Sequence, residues 1–464
     1  MKKPSPKKQV KARKKRSKKG NLDSLPFIHI NAAGIDIGSG EHWVAVPKDR
    51  DEEPVRKFAC FTSDLHAMAE WLKKCKIDTV VMESTGVYWI PLFQILETQG
   101  FDVKLVNARH VKNVPGRKTD ALDCQWLQQL HTYGLLSGSF RPEDSICVLR
   151  SYWRHRDNLI RYAAAHIQHM QKAFTEMNLH LHKVISNLTG VTGMRIIRAI
   201  LAGERDSLKL AQMRDPRIKN SAKTIAKSLE GDYRQEHLFA LKQAFELYCT
   251  YRQQIKACDQ EIEAYLTQLD SKCDPTPKKQ HKTSRSKNDP SFDLGTHLYR
   301  ITGVDFTKID GLNVLTVQSI LTEVGLNPEA FGTEKRFASW LGLCPQNRIT
   351  GGRIINNKTR KVVNRASKAF RMAANSLKNS PSALGGYFRR MRSRLGAPKA
   401  ITATAHKLAR IFFHLWKNGN TYQDLGADYY EQKYKERVLK NMKNRAKKLG
   451  FEITLQPFAE LEVS

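Results

Sequence analysis

Between Ile28 and about Pro142, short apolar runs alternate with amphipathic stretches. "AAGIDIGSG" (32–40) has the β-branched alternation of a strand that ends in a Gly-rich turn, and "HWVAVPKD" (42–49) follows as its hairpin partner. "SDLHAMAEWLKKC" (63–75) carries the helical apolar period, with Ser63 as its predicted N-cap. "DTVVMES" (78–84) reads as a second apolar strand, "WIPLFQILETQG" (89–100) as a helix ending at Gly100, and "FDVKLVN" (101–107) as a third strand. "TDALDCQWLQQLHTYG" (119–134) predicts a helix stopped at Gly134. The pattern predicts an α/β layer domain with a mixed sheet over residues 28–145.

Beyond it, residues 146–270 read as mostly helical. Leu241, Tyr248, Ile255, Ile262 and Leu269 fall seven apart, with Ala244, Tyr251, Cys258 and Tyr265 three residues after each of the first four. That is an a/d heptad. It fits an intramolecular antiparallel pair with a helix near Trp153–Glu176, a subunit contact, or a hairpin that also dimerises. Residues 271–291 are polar, basic and contain proline, and predict a linker. Residues 292–420 predict a third, mostly helical unit, and 421–464 a basic helix with a short extended end.

Charge sharpens this picture. The 464 residues hold 78 Lys+Arg against 45 Asp+Glu, a net +33. Met1–Gly20 contributes 11 cations and no acid, and predicts a disordered tail to about residue 22. Taking those 11 from +33 leaves +22 on the rest, so the tail is not the whole source. A polyanion is the expected partner, with nucleic acid foremost. The tail itself reads equally as a phosphate-binding arm or a solvated one. No run of about 18 apolar residues exists, so no membrane span is expected. The basic N-terminus lacks an apolar core, which argues against secretion. Eight scattered cysteines without a CxxC pair argue against zinc or a disulfide framework.

Four carboxylates stand out. Asp36 lies mid-strand before a glycine turn, and Glu83 ends an apolar strand. Asp120 and Asp123, three apart, share one helix face. Singly they read as a turn residue, a cap for the next helix, a first-turn acid and a solvated position. Together they form the oxygen-rich set that two Mg²⁺ ions need for phosphodiester chemistry. Cations would also offset the cost of packing like charges. Tyr88 and Trp89, just after Glu83, read as packing rather than as a nucleic-acid platform.

The C-terminal unit offers a second candidate. "IDGLNVLTVQSILTEVG" (309–325) has a helix–Gly turn–helix look that can offer N–H groups to a phosphate. Thr350 precedes Gly351 and Gly352 and is surrounded by Arg348, Arg353, Lys358, Arg360 and Arg365. A hydroxyl there can attack a phosphorus or bind a phosphate. Arg117, Lys118, Arg389, Arg390, Lys399 and Lys407 are further candidate nucleic-acid contacts, while His406 reads as packed or phosphate-facing rather than as a base.

The motifs "GIDIGS", "MESTGVYW", "GRKTDALDCQWL", "WLGLCPQNRITGGR" and "LGAPKAITATAHKLARI" resemble those of the IS-one-ten (IS110) family of DEDD transposases, the last especially its IS-eleven-eleven branch. The resemblance covers roughly residues 30–145 and 295–420, with the helical insert where the family has its coiled coil. It implies a RuvC-like, RNase H-type N-terminal domain with Asp36, Glu83, Asp120 and Asp123 as Mg²⁺ ligands. It implies a C-terminal transposase domain whose hydroxyl forms a covalent link to DNA. It implies an active site composed from different subunits of a dimer or tetramer. A structured bridge RNA would pair with donor and target DNA, leaving the protein to read RNA shape and backbone. The setting implied is the prokaryotic cytoplasm, at the nucleoid. One departure is plain: the family has serine before the glycine pair, and this chain has Thr350, whose β-methyl restricts χ1. Thr350 is the favoured nucleophile, Ser339 and Ser367 are the alternatives, and an impaired copy is the third reading. A RuvC-type structure-selective nuclease and a non-catalytic nucleic-acid binder are the competing functions.

Overall fold

A computed structural model describes residues 25–107, 120–274, 286–360, 362 and 364–454. The basic tail, Arg117, Lys118 and the final ten residues lie outside the described residues. The chain divides into two units, residues 1–141 and 142–464.

The first unit is a five-stranded mixed sheet. Its strands are β1 (Ala32–Ile37), β2 (Glu41–Ala45), β3 (Val55–Ala59), β4 (Thr79–Glu83) and β5 (Asp102–Val106), in the order β3-β2-β1-β4-β5. β1, β2 and β3 pair antiparallel, while β4 and β5 run parallel to β1. Strand β3 is not predicted by the sequence pattern because "VRKFA" has no buried position to mark it. Helices α1 (Thr62–Lys74) and α2 (Trp89–Thr98) cover one face, where Ile35, Ile37, Val44, Val80 and Met82 meet Met68, Leu72, Leu92 and Leu96. Ser63 is not the cap of α1: the helix starts one residue earlier and Phe61 stands at the cap position, with no side-chain bond. Helix α3 (Asp120–Thr132) covers the opposite face, where Val81, Val106 and Leu127 pack together.

The second unit begins with two long helices, α4 (Asp144–Glu176) and α9 (Gln235–Gln268), joined through the short helices α5 (Leu181–Val184), α6 (Val191–Leu201), α7 (Ser207–Gln212) and α8 (Ala222–Lys227). The long pair is antiparallel. Tyr265 bonds the carbonyl of Ser145 at 3.0 Å, Cys258 that of Tyr152 at 3.5 Å, and the Tyr251 ring lies 5.4 Å from His166. Leu241, Ala244, Tyr248, Ile255, Cys258 and Ile262 of the heptad are buried, while Tyr251 and Tyr265 are half-buried. Leu269 is not part of the seam: the backbone turns extended there and Leu266 is the last buried position.

A single ion pair is sealed between these helices. Arg156 is 1% exposed and Asp259 is 3% exposed, and their side chains bond directly. Arg156 also donates to the carbonyl of Asn288 at 3.0 Å, and Asp259 accepts from the Ser291 N–H at 3.1 Å. Residues 286–291 are therefore held against α9 rather than forming open linker. Lys287 adds to this by lying 4.6 Å from the Tyr248 ring.

The remaining helices are α10 (Leu294–Thr302), α11 (Val314–Val324), α12 (Glu334–Trp340), α13 (Arg365–Ser376), α14 (Ala383–Leu395), α15 (Ala397–Asn418) and α16 (Gly426–Lys448). An aromatic cluster of Phe306, Phe337, Phe370, Phe412 and Trp416 joins α12, α13 and α15, with the stacked Phe306 and Phe412 centroids 4.1 Å apart. Arg154 of α4 forks onto Glu323 of α11 at 2.8 and 2.7 Å, tying the long pair to this bundle. Among the described residues no helix is long and apolar enough to cross a membrane.

Replacing Arg156 by Met leaves Asp259 buried without its cation and is expected to cost about 3–5 kcal/mol. The double change Arg156→Met/Asp259→Leu is expected to recover most of that loss. Urea midpoints of the three proteins check both statements.

Candidate active site

The carboxylate arrangement follows from register and from one close contact. In the parallel pair of β1 and β4, Ile35 stands opposite Met82. The next residue on each strand is a carboxylate, Asp36 and Glu83. Strands that pair are about 4.8 Å apart, and residues at matching register share a face. Ile35 and Met82 point into the α1–α2 core, so Asp36 and Glu83 point to the α3 side. Both are half-buried.

Helix α3 crosses that side with its direction opposed to β1. Near its C-terminal end, His131 meets Thr79, the first residue of β4, at 2.9 Å, and the Thr132 carbonyl accepts from the Ile28 N–H at 2.8 Å. At mid-helix it touches Gly34 so closely that a Cβ there would stand 2.3 Å from the Gln128 nitrogen and 2.4 Å from the Cys124 oxygen. Asp36 is two residues further along the strand, about 6.6 Å. Asp120 is four residues before Cys124 along the helix, about 6 Å in the same direction. The first turn of α3, with Asp120 and Asp123, therefore starts at the Asp36–Glu83 end of the sheet. Cys124 reports this electrostatically. Burial pushes its thiol up to about 12, and the negative charges of Asp36 and Asp123 add to that rise.

Asp123 is exposed, and the side chain of Asp120 lies outside the described residues. Among the described residues no three His, Cys, Asp or Glu side chains are grouped closely enough to hold a metal. Three elements thus converge on one end of the sheet. The donors available are carboxylate oxygens, which suit a hard cation.

Thr350 lies in the second unit, on a hairpin that the sequence pattern does not predict. β6 (Arg348–Thr350) and β7 (Arg353–Asn356) form a two-residue hairpin in which Thr350 pairs with Arg353. Gly351 and Gly352 make the turn with φ of +55° and +76°. Positive φ at both central residues is the primed turn that matches strand twist, and only glycine adopts it without strain. Gly-Gly between Ile349 and Ile354 is the signal that could have found it. Thr350 is exposed at the hairpin tip. Of the alternative hydroxyls, Ser339 is exposed on α12, whereas Ser367 is 4% exposed inside α13, too enclosed to meet a phosphodiester.

The predicted basic contacts divide. Arg353, Lys358, Arg365, Arg389 and Lys399 are exposed, as is Arg360, which donates to the Ser339 carbonyl at 3.2 Å. Arg365 also pairs with Asp157 at 3.6 Å, and Arg389 donates to the Ser380 carbonyl at 2.7 Å. The side chain of Arg348 lies outside the described residues. Two of the others have structural work instead. The Arg390 guanidinium lies 3.3 Å from the Tyr434 ring and pairs with Glu431, and the Lys407 ammonium lies 4.5 and 5.4 Å from the Tyr387 and Tyr430 rings. Burial lowers the Lys407 pKa. His406 is half-buried beside Arg410 and Glu334, and burial first, then Arg410, lowers its pKa. Gly311, in the predicted phosphate-binding turn, is packed inward: a Cβ there would stand 2.8 Å from the Ala373 carbonyl.

Residues 33–179 match the IS110 DEDD model, described as a transposase, and residues 305–387 match the model described as the transposase IS116/IS110/IS902 family. The first segment contains all four carboxylates and the second contains the Thr350 hairpin. These matches support DNA transposase or recombinase activity in general terms. No curated protein matches the chain.

Gly34→Ala is expected to cost about 1–3 kcal/mol through overpacking against the α3 backbone. Denaturant midpoints check the loss, and hydrogen exchange should show it concentrated in α3. A second expectation concerns pH. Burial, aided by His29 and Lys104, lowers the His131 pKa from 6.5 to about 4. The neutral ring is the folded form, so its contribution is whole above about pH 6.5 and is lost as pH falls toward 4. Stability of His131→Gln should therefore depend less on pH across that window than stability of the parent.

Proposed function

We propose that the chain is an IS110-type insertion-sequence transposase that cleaves and exchanges DNA strands in a Mg²⁺-dependent reaction. The observation that carries this is the convergence of the β1 end, the β4 end and the start of α3, each bearing a carboxylate. A RuvC-like identity for the first domain (28–145) is supported by the strand order 3-2-1-4-5, with the first three strands antiparallel. Four acids gathered in a chain of net charge +33 repel the polyanion that the rest attracts, and a pure binder has no use for them.

In this reading Asp36, Glu83, Asp120 and Asp123 hold two Mg²⁺ ions. When bound, such ions neutralise charge on the attacking and leaving oxygens of an in-line displacement. Thr350 supplies the attacking group. Its hydroxyl loses the proton, its oxygen bonds the scissile phosphorus, and the phosphorus–oxygen bond to the departing sugar breaks, that oxygen taking up a proton. Arg353 on the same hairpin and Lys358, two residues past its end, are suited to hold the phosphate. The hairpin, a separate element presenting one exposed hydroxyl, favours strand exchange through a covalent intermediate over simple nuclease cleavage.

The remaining assignments follow the family resemblance. The carboxylates and the hydroxyl come from different subunits of a dimer or tetramer, with the central helices (146–270) acting as a coiled coil that also dimerises. A bridge RNA of the element selects donor and target DNA, and the protein works in the prokaryotic cytoplasm at the nucleoid.

Asp36→Asn and Asp123→Asn are each expected to lower strand exchange by at least about 10²-fold, since each removes a charged ligand, while DNA binding persists. Thr350→Ala is expected to abolish the covalent protein–DNA adduct, and Thr350→Ser to retain it. An adduct still formed by the alanine variant, seen on a denaturing gel, would assign the nucleophile elsewhere.

A further inference from the structure

Helix α16 (Gly426–Lys448) has two halves with different surroundings. Its first half is clamped to α14 and α15. Arg390 lies against Tyr434 and pairs with Glu431, Lys407 sits against Tyr387 and Tyr430, and Gly386 admits Ala427 and Tyr430 at distances of 3.2–3.7 Å from where a Cβ would stand. Arg390 and Lys407, two of the cations that the sequence offers as nucleic-acid contacts, are engaged in this clamp.

The second half, residues 435–448, extends beyond the clamp for about 21 Å. No residue of α16 is buried. Residues 435–448 hold seven Lys/Arg and one acid. At 3.6 residues per turn, Arg437, Lys440, Lys443, Lys447 and Lys448 fall within an arc of about 140°. All five are exposed. Glu436, the acid on that side, already pairs with Lys433 at 3.1 Å. The opposite side carries Leu439, Met442 and Ala446, together with the two remaining cations, Lys435 and Arg445.

We propose that the basic side of this half-helix is a docking surface for duplex DNA, contacting the phosphate backbone without reading sequence. Charge complementarity selects a polyanion. Geometry selects DNA, because the B-form major groove is wide enough to seat an α-helix between its phosphate rims, whereas the A-form major groove is deep and narrow. The clamp gives the surface a fixed root, so that Arg390 and Lys407 serve DNA binding by holding α16. The inference rests on DNA being the substrate and adds the surface that engages it outside the strand-exchange chemistry.

The test uses the full chain with a 30-bp duplex DNA of arbitrary sequence and the matching duplex RNA, titrated at several salt concentrations. One variant carries Lys440→Gln, Lys443→Gln, Lys447→Gln and Lys448→Gln. A control carries Lys209→Gln, Lys219→Gln, Lys223→Gln and Lys227→Gln, four exposed lysines on and between α7 and α8. For the α16 variant, the salt slope on duplex DNA should shrink by about 3.6 and affinity should fall at least about tenfold. The control should change both much less. An unchanged slope, an equal loss in the control, or a loss confined to duplex RNA would overturn the proposal. If the parent protein binds no duplex DNA, the transposase reading itself fails, which is a different result from a parent that binds and a variant that binds equally well.

Discussion

The close approach of α3 to β1 over Gly34 fixes the first unit. A side chain at that position would overlap helix backbone on both the Gln128 nitrogen and the Cys124 oxygen. With no side chain there, the helix settles against the strand, and the Thr79–His131 and Ile28–Thr132 bonds set its direction. Direction decides which end of α3 meets which end of the sheet. It brings Asp120 and Asp123 to the end where Asp36 and Glu83 already stand side by side. A helix set further out, or reversed, would leave the same four acids on unrelated parts of the surface.

The second unit solves a different problem. An antiparallel pair of helices more than 30 residues long can slide by a heptad with little change in apolar contact. The buried Arg156–Asp259 pair removes that freedom, because every other register strands a charge in the seam. The same carboxylate and guanidinium also capture the chain at Asn288 and Ser291, where it returns to start the C-terminal bundle. From that bundle the Thr350 hairpin projects, with glycine at both turn positions keeping it tight.

Much of the first unit is legible in the sequence because its buried faces are periodic. Ile35 and Ile37, Val80 and Met82, and the stripe along α1 announce strands and helices by their spacing alone. The two carboxylates at strand ends stand out for the same reason, as charges that interrupt an apolar run. Strand β3 is not legible, since "VRKFA" lies at the sheet edge and buries nothing fully. Nor could sequence separate Arg390 and Lys407 from the exposed cations around them. Their role depends on Tyr387, Tyr430 and Tyr434, and those ring contacts exist only once α14, α15 and α16 pack. The heptad allowed an antiparallel pair as one of its readings, yet nothing in it singled out Asp259 as the partner of Arg156, 103 residues earlier. The hairpin escaped because its apolar positions, Ile349 and Ile355, are exposed, which is the reverse of what strand patterns report.

The most direct test of a shared carboxylate site is divalent-metal binding itself, followed by titrating Mn²⁺ into the full chain and reading bound metal by electron paramagnetic resonance. If Asp36, Glu83, Asp120 and Asp123 act together, then Asp36→Asn on the strand and Asp123→Asn on the helix should each weaken the same bound-metal signal. The double variant should lose little more than either single one, since ligands of one site are not additive. If the two changes remove separate, independent portions of the bound metal, or neither alters it, the acids do not form one site and the central claim fails.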